Sequence, residues 1–380
     1  MHVFISAGEP SGDLHAASLA TAISKQIPNA RISGFGGPHM TAAGVKLLYP
    51  LTELAVMWFG RVLANLPTFF RVAKQAEDYF KDEKPDAVVI IDYPGFHWHI
   101  AKRAKAAGIP CYYFVPPQLW AWAGWRVKKM RNTVDAVLTA LPFEETWYAE
   151  RGVNTHYVGH PYFDELSKQK LDAAFVLEQR AKSGKAIALL PGSRTQEVTG
   201  NFSLMLATAT KIHTARPDTR FLVAAFNEKQ ATLIRETLKE SKLPVEVHVG
   251  RTPEIIELAE ACVAVSGSVG LEMLYRRKPA VIVYRISKFA RTVSRFFIKC
   301  KYISLVNLLA DEELYPEYLT TRDESTAMAN DVLTWLNDTG AKADITAKLT
   351  ALRNRVAIPG ACERAANFLM LKHGLKRKAA

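Results

Sequence analysis

An α/β architecture of two doubly wound parallel-sheet domains in series is what this sequence predicts, and three observations carry it. At 380 residues the chain exceeds what one hydrophobic core usually serves, so two domains of roughly 150–200 residues each are expected. Short β-branched runs alternate with longer helical patterns, which is how parallel sheets covered by helices read. The alternation runs twice, on either side of a polar, proline-containing stretch from His160 to Lys170 that reads as a hinge.

In the first half the predicted strands are His2–Ala7, Arg31–Phe35, Ala87–Ile91, Cys111–Val115, Ala136–Thr139 and Thr155–Val158. In the second they are Ala186–Leu190, Arg220–Ala225, Val245–Val249, Cys262–Val265 and Ala280–Tyr284, and beyond Ile303 the pattern turns helical to the end. Domains are expected over 1–165 and 170–355. Doubly wound domains place ligands at the carboxyl ends of their strands, so a shared cleft is expected. Apolar residues at 49% and charged residues at 23% exclude a disordered chain. The four cysteines (Cys111, Cys262, Cys300, Cys362) lie far apart, which argues against a zinc module and for reduced, buried thiols. No secretory leader is expected. Residues 106–125 carry no charge, but Pro110, Pro116, Pro117 and Gly124 interrupt them, so they read as a buried strand and rigid loop rather than a membrane span.

The formal charge of +12 is unevenly placed. Residues 101–131 carry seven Lys/Arg, 285–301 six and 371–380 four, none of them with an acid, so the remainder of the chain nets −5. Solvated helix faces explain a mixed surface better than a one-sign one, so an anionic partner is expected. Trp120, Trp122 and Trp125, followed by Arg126, Lys128, Lys129 and Arg131, could stack bases, but no nucleic-acid-binding motif accompanies them. Between Val56 and Val72, Trp58, Phe59, Val62, Leu63, Leu66, Phe69 and Phe70 share one helical face beside Arg61, Arg71 and Lys74, a composition that suits a lipid interface as well as a core. Arg291, Arg295 and Lys299 among Phe289, Phe296 and Phe297 repeat it.

Three loops, each just after a strand, carry the candidate chemistry. In Gly8-Glu9-Pro10-Ser11-Gly12-Asp13 the glycines allow close backbone approach and Ser11 can cap the next helix. In Pro191-Gly192-Ser193-Arg194, with Glu197 beyond, an arginine at a glycine turn above a helix start suits a diphosphate. In Ser266-Gly267-Ser268-Val269-Gly270-Leu271-Glu272 a helix start meets an anion, and Glu272 can accept hydrogen bonds from ribose hydroxyls. Asp92, ending an apolar strand, is the candidate base, with turn capping as the plainer alternative. His97 and His99 would share a strand face and His156 and His160 have helical spacing, but neither pair has a third metal ligand. The dinucleotide fingerprint fails at His39, and no P-loop, nucleophile elbow or HExxH occurs.

The segments AGEPSGDLHA, IDYPGF, PPQLWAW, LPFE, VGHP, LLPGSRTQEV, SGSVGLEML and ISLVNLLA, in this order, resemble the lipid-A-disaccharide synthase family across almost the whole chain. The resemblance implies a GT-B fold and an inverting, metal- and cofactor-independent glycosyltransferase. Its members join UDP-2,3-diacylglucosamine to 2,3-diacylglucosamine 1-phosphate (lipid X), releasing UDP and lipid A disaccharide 1-phosphate. By the same resemblance Asp92 is the general base, Arg194 the phosphate-side arginine, Glu272 the donor-ribose carboxylate and Asn307 a cleft asparagine. Gly8, Glu9, Ser11, Gly12 and Asp13 line the acceptor side. The last helix, about 360–380, is implied to return to the first domain, and the protein to sit on the anionic cytoplasmic face of the inner membrane. Pro10, Gly95 and Ser268 depart from the commoner Thr, Asp and Thr, and Gly95 puts a two-carboxylate mechanism in doubt. A UDP-N-acetylglucosamine 2-epimerase and a basic RNA- or membrane-binding protein are the competing readings. A homodimer is left open.

Overall fold

Runs such as Ala-Val-Val-Ile-Ile and Ala-Cys-Val-Ala-Val present no polar face, which a strand tolerates only where helices cover both sides of its sheet. The computed structural model describes residues 1–55, 66–287 and 300–374. It divides into two units, Met1–Ser167 with Ile358–Ala380, and Lys168–Ala357.

Among the described residues the first unit holds seven parallel strands: β1 (His2–Ala7), β2 (Arg31–Phe35), β3 (Lys46–Tyr49), β4 (Ala87–Ile91), β5 (Cys111–Phe114), β6 (Ala136–Thr139) and β7 (Thr155–Tyr157), ordered β3-β2-β1-β4-β5-β6-β7. The second holds β8 (Lys185–Leu190), β9 (Thr219–Ala225), β10 (Val245–Val249), β11 (Ala261–Val265), β12 (Ala280–Arg285) and β13 (Glu317–Thr320), ordered β10-β9-β8-β11-β12-β13. The winding direction reverses between β1 and β4 and again between β8 and β11. At such reversals the flanking loops diverge at the strands' carboxyl ends and leave room for a ligand.

Three expectations are corrected here. The sequence beyond Ile303 is not helical throughout, because β13 pairs in parallel with β12. The stretch at 160–170 does hold the boundary between the units, at Ser167–Lys168, but it is a helix over Pro161–Lys168 rather than an open linker. Its buried Asp164 accepts hydrogen bonds from Gly360 N (2.5 Å), Ala361 N (3.0 Å) and Cys362 N (2.9 Å). That carboxylate satisfies the first amides of the helix Ala361–Lys372. The same helix buries Cys362, Ala365, Ala366, Leu369 and Met370 against Ala16, Leu19, Ala20 and Ile23 of the helix Pro10–Gln26. The third correction is that His97 and His99 lie on the helix Pro94–Ala106, His97 buried and His99 exposed, while His156 is in β7 and His160 in the following loop. Neither pair therefore has the geometry of a metal clamp, and among the described residues no three His, Cys, Asp or Glu side chains cluster to hold an ion.

Candidate functional site

The first unit's reversal point brings together the loops after β1 and β4. They touch: a Cβ on Gly8 would lie 2.2 Å from Cδ1 of Tyr93, so only glycine lets the two loops approach this closely. Gly12 sits over the strand ends, where a Cβ would be 3.6 Å from the Ile91 carbonyl. The helix starts at Pro10 with Glu9 at its N-cap, so Ser11 lies inside the first turn and does not cap it. Glu9 is half-buried and Ser11 exposed at the loop's rim. Asp13 departs from the expected cleft set, being 1% exposed and turned into the protein. Its carboxylate accepts from Gly37 N (2.8 Å), His39 N (2.9 Å) and Met40 N (3.1 Å), which holds the loop after β2 and the helix Pro38–Ala42.

After β4 the chain makes an unusual turn. Asp92 and Tyr93 both take left-handed backbone angles, φ 52° and 47°, which cost non-glycine residues about 1–3 kcal/mol each. The Asp92 carbonyl accepts the Tyr113 hydroxyl (2.6 Å) and the Nδ1–H of His97 (2.6 Å). A carbonyl can only accept, so the His97 proton is on Nδ1, and Nε2 accepts from the Ser6 hydroxyl at 2.9 Å. Burial pushes His97 down to about 4, which keeps the ring neutral. Burial, reinforced by nearby Glu9, pushes the Tyr93 phenol up to about 12. Asp92 itself is half-buried. Ser6 and Tyr113 were not singled out from sequence, and His97 was given a different place and role. Pro94 directly after Tyr93 was the available signal, since proline favours the first helical position.

The second unit's reversal point brings together the loops after β8 and β11, which are paired neighbours. Arg194 is the N-cap of the 21-residue helix Thr195–Ala215. The loop's backbone amides do not await a phosphate: Glu197 Oε2 already accepts from Ser193 N (3.1 Å) and Arg194 N (3.1 Å). Gly192 (φ 104°) is required here, because a Cβ would lie 2.4 Å from that carboxylate oxygen. What remains for a ligand is the Arg194 guanidinium, 70% exposed and steadied by Glu197 Oε1 at 3.0 Å.

On the neighbouring loop Gly267 and Ser268 are exposed at the start of the helix Val269–Tyr275, and Gly270 is buried within its first turn. The Ser266 hydroxyl donates to the Ile303 carbonyl (2.7 Å). Glu272 is buried and ion-paired with Arg276 (3.3 Å). Asn307 is the clearest departure from the cleft set. Fully buried, its amide oxygen accepts from Leu314 N (2.9 Å) and Tyr315 N (2.8 Å), while its nitrogen donates to Tyr315 O (2.7 Å) and Glu317 Oε1 (2.8 Å). All four of its hydrogen-bonding capacities go to bracing the segment before β13 and that strand's first residue.

Of the expected lipid-facing residues, Trp58, Phe59, Val62 and Leu63 lie outside the described residues, as do Phe289–Lys299. Leu66 and Phe70 are exposed, 41% and 58%. Phe69 instead turns inward against Tyr93 and Phe96, because its helix, Leu66–Glu83, packs that side on the core. Trp120 is drawn inward, donating to Glu144 (3.0 Å), whereas Trp122 and Trp125 are exposed with the Arg126 guanidinium over both rings. Among the described residues no helix is long and apolar enough to cross a membrane.

The family profile of lipid-A-disaccharide synthetase matches residues 3–369. A lipid-A-disaccharide synthase from Myxococcus xanthus is 32% identical over 371 residues, covering 97% of this chain and 96% of its own. One from Saccharophagus degradans is 36% identical over 321 residues, 83% of each chain. Among solved structures, the UDP-GlcNAc 2-epimerase of Neisseria meningitidis, bound to UDP-GlcNAc, superposes with a TM-score of 0.69 at 13% identity, over 98% of this chain and 100% of its own. The calicheamicin glycosyltransferase CalG4 does so with a TM-score of 0.59 at 14% identity, over 98% of both chains. At such low identity the likeness is one of fold, two Rossmann-like units in the GT-B manner. The family profile and the relatives above 30% identity span nearly the whole sequence, and the chain belongs to the lipid-A-disaccharide synthase family.

Proposed function

We propose that this family member condenses UDP-2,3-diacylglucosamine with lipid X, giving lipid A disaccharide 1-phosphate and UDP. The observation that supports the reading is the placement of Asp92 at the first sheet's reversal point and of Arg194 at the second's, in a chain whose residues 3–369 match the family. The acceptor's 6-hydroxyl attacks the donor's anomeric carbon as the carbon–oxygen bond to UDP breaks. One displacement inverts that carbon. Asp92 takes the hydroxyl proton. Arg194 and the helix start at Ser268 stabilise the charge growing on the departing diphosphate, in place of a divalent cation. Glu272 serves the donor ribose, and Glu9 and Ser11 the acceptor. Asp13 and Asn307 act by holding loops.

Acylated, phosphate-bearing substrates call for an anionic inner-membrane surface, to which Leu66, Phe70 and the basic segment 101–131 are suited. The test is UDP release by the purified protein with both lipids in detergent, with and without EDTA. Release that needs both lipids and ignores EDTA supports the reading. Conversion of UDP-N-acetylglucosamine alone would replace it with an epimerase.

A further inference from the structure

Beneath the proposed base lies a buried polar cluster that the reaction scheme does not use. Ser6 on β1, His97 on the helix after β4 and Tyr113 on β5 are each fully buried. Apolar side chains would fill this space without desolvating a hydroxyl, an imidazole and a phenol. Two of them converge on one acceptor, His97 Nδ1 and Tyr113 Oη each standing 2.6 Å from the Asp92 carbonyl, and the third backs the imidazole, Ser6 Oγ standing 2.9 Å from His97 Nε2. That carbonyl belongs to the peptide between two left-handed residues, the conformation that non-glycine residues leave most readily once unrestrained. Were it to relax, the Cβ of residue 92 would swing away, and a displacement of about 1 Å at a reacting group can cost on the order of a hundredfold in rate.

We propose that His97 and Tyr113 are positioning residues that lock the Asp92–Tyr93 peptide and so aim the Asp92 carboxylate, with Ser6 fixing the His97 tautomer. The inference rests on Asp92 being the base. The hydroxyl of Ser6 donates to Nε2, which leaves Nδ1 as the ring's only N–H and directs it at the Asp92 carbonyl. Two donors on one oxygen hold the peptide plane against rotation in either sense.

The experiment measures kcat, KM for both lipids and the thermal midpoint of the full-length enzyme. Tyr113→Phe removes one hydroxyl and keeps the ring. His97→Asn keeps an N–H where Nδ1 was, whereas His97→Gln offers its amide at the Nε2 position. Tyr113→Phe and His97→Gln should each lower kcat about tenfold with donor KM within about twofold of wild type, and together lower it further. His97→Asn should retain most of kcat. Loss of thermal midpoint with wild-type kcat, or equal kcat in the Asn and Gln variants, overturns the inference. Asp92→Ala is run beside them. If it is inactive while Tyr113→Phe and His97→Gln turn over at the wild-type rate, only the positioning role fails. If it turns over normally, the reading of Asp92 fails and the inference goes with it.

Discussion

The two reversal points share a topology and treat their key residue in opposite ways. In the first unit Asp92 sits on a strained turn whose carbonyl is gripped by buried donors and whose neighbour Tyr93 is packed against Gly8. In the second, Glu197 closes its own loop, and Arg194 projects 70% exposed from it. A proton acceptor must meet one hydroxyl in one geometry, so rigidity serves it. A cation that neutralises a diphosphate acts over a longer range and tolerates mobility. The difference teaches that a satisfied loop is not an inert one, because its side chain can carry the function that its amides do not.

The comparison breaks most visibly at Asp92. Asp92→Ala should lower turnover by roughly 10²–10⁴, the usual contribution of a general base, with the fold intact. Steady-state UDP release per folded molecule checks this, and undiminished turnover would leave Asp92 as a turn residue only. Arg194→Ala comes next, with a loss of about 10²–10³ in kcat and a thermal midpoint little changed, since a guanidinium this exposed contributes little to stability through its pair with Glu197. Arg194→Lys should recover little of it if two parallel N–H bonds reach the diphosphate. Full recovery would reduce Arg194 to a point charge.

Two glycines sharpen the contrast at a smaller scale. Gly192→Ala sets a methyl at φ 104° against Glu197 and should cost about 1–3 kcal/mol of stability. Gly8→Ala presses on Tyr93 instead, and should lower kcat more than stability, because it moves the turn that carries Asp92. Urea melts beside initial rates separate the two, and equal behaviour would erase the distinction. The smallest effect is on pH. The folded-state value of His97 lies at about 4 against 6.5 for the free side chain, so its contribution to stability is present above pH 6.5 and is lost as pH falls toward 4. The stability advantage of wild type over His97→Asn should therefore narrow across that interval. An advantage that stays constant would mean that His97 is not held neutral.

Central strands were legible because β4 and β11 are apolar on both faces. The missed strands β3 and β13 are edge strands, short and half-exposed, and carry too little pattern to separate from a loop. All three candidate loops fall at reversal points, which the strand–helix alternation could place only approximately. The direction of a side chain was not legible. Asp13 and Asn307 look like ligand-binding polar residues in sequence, yet each is taken up by backbone groups outside its own turn, Asp13 by the amides from Gly37 to Met40 and Asn307 by those at Leu314 and Tyr315. His97 was misread because a helix, not a strand, follows Tyr93-Pro94. Only the partners in three dimensions reveal such roles.

The division of labour between the two loops is tested most directly by calorimetric titration of UDP into wild type, Asp92→Ala and Arg194→Ala. Wild type and Asp92→Ala should bind UDP equally well, and Arg194→Ala at least tenfold more weakly. UDP binding lost with Asp92, or undisturbed without Arg194, would contradict the assignment of donor and base to separate units.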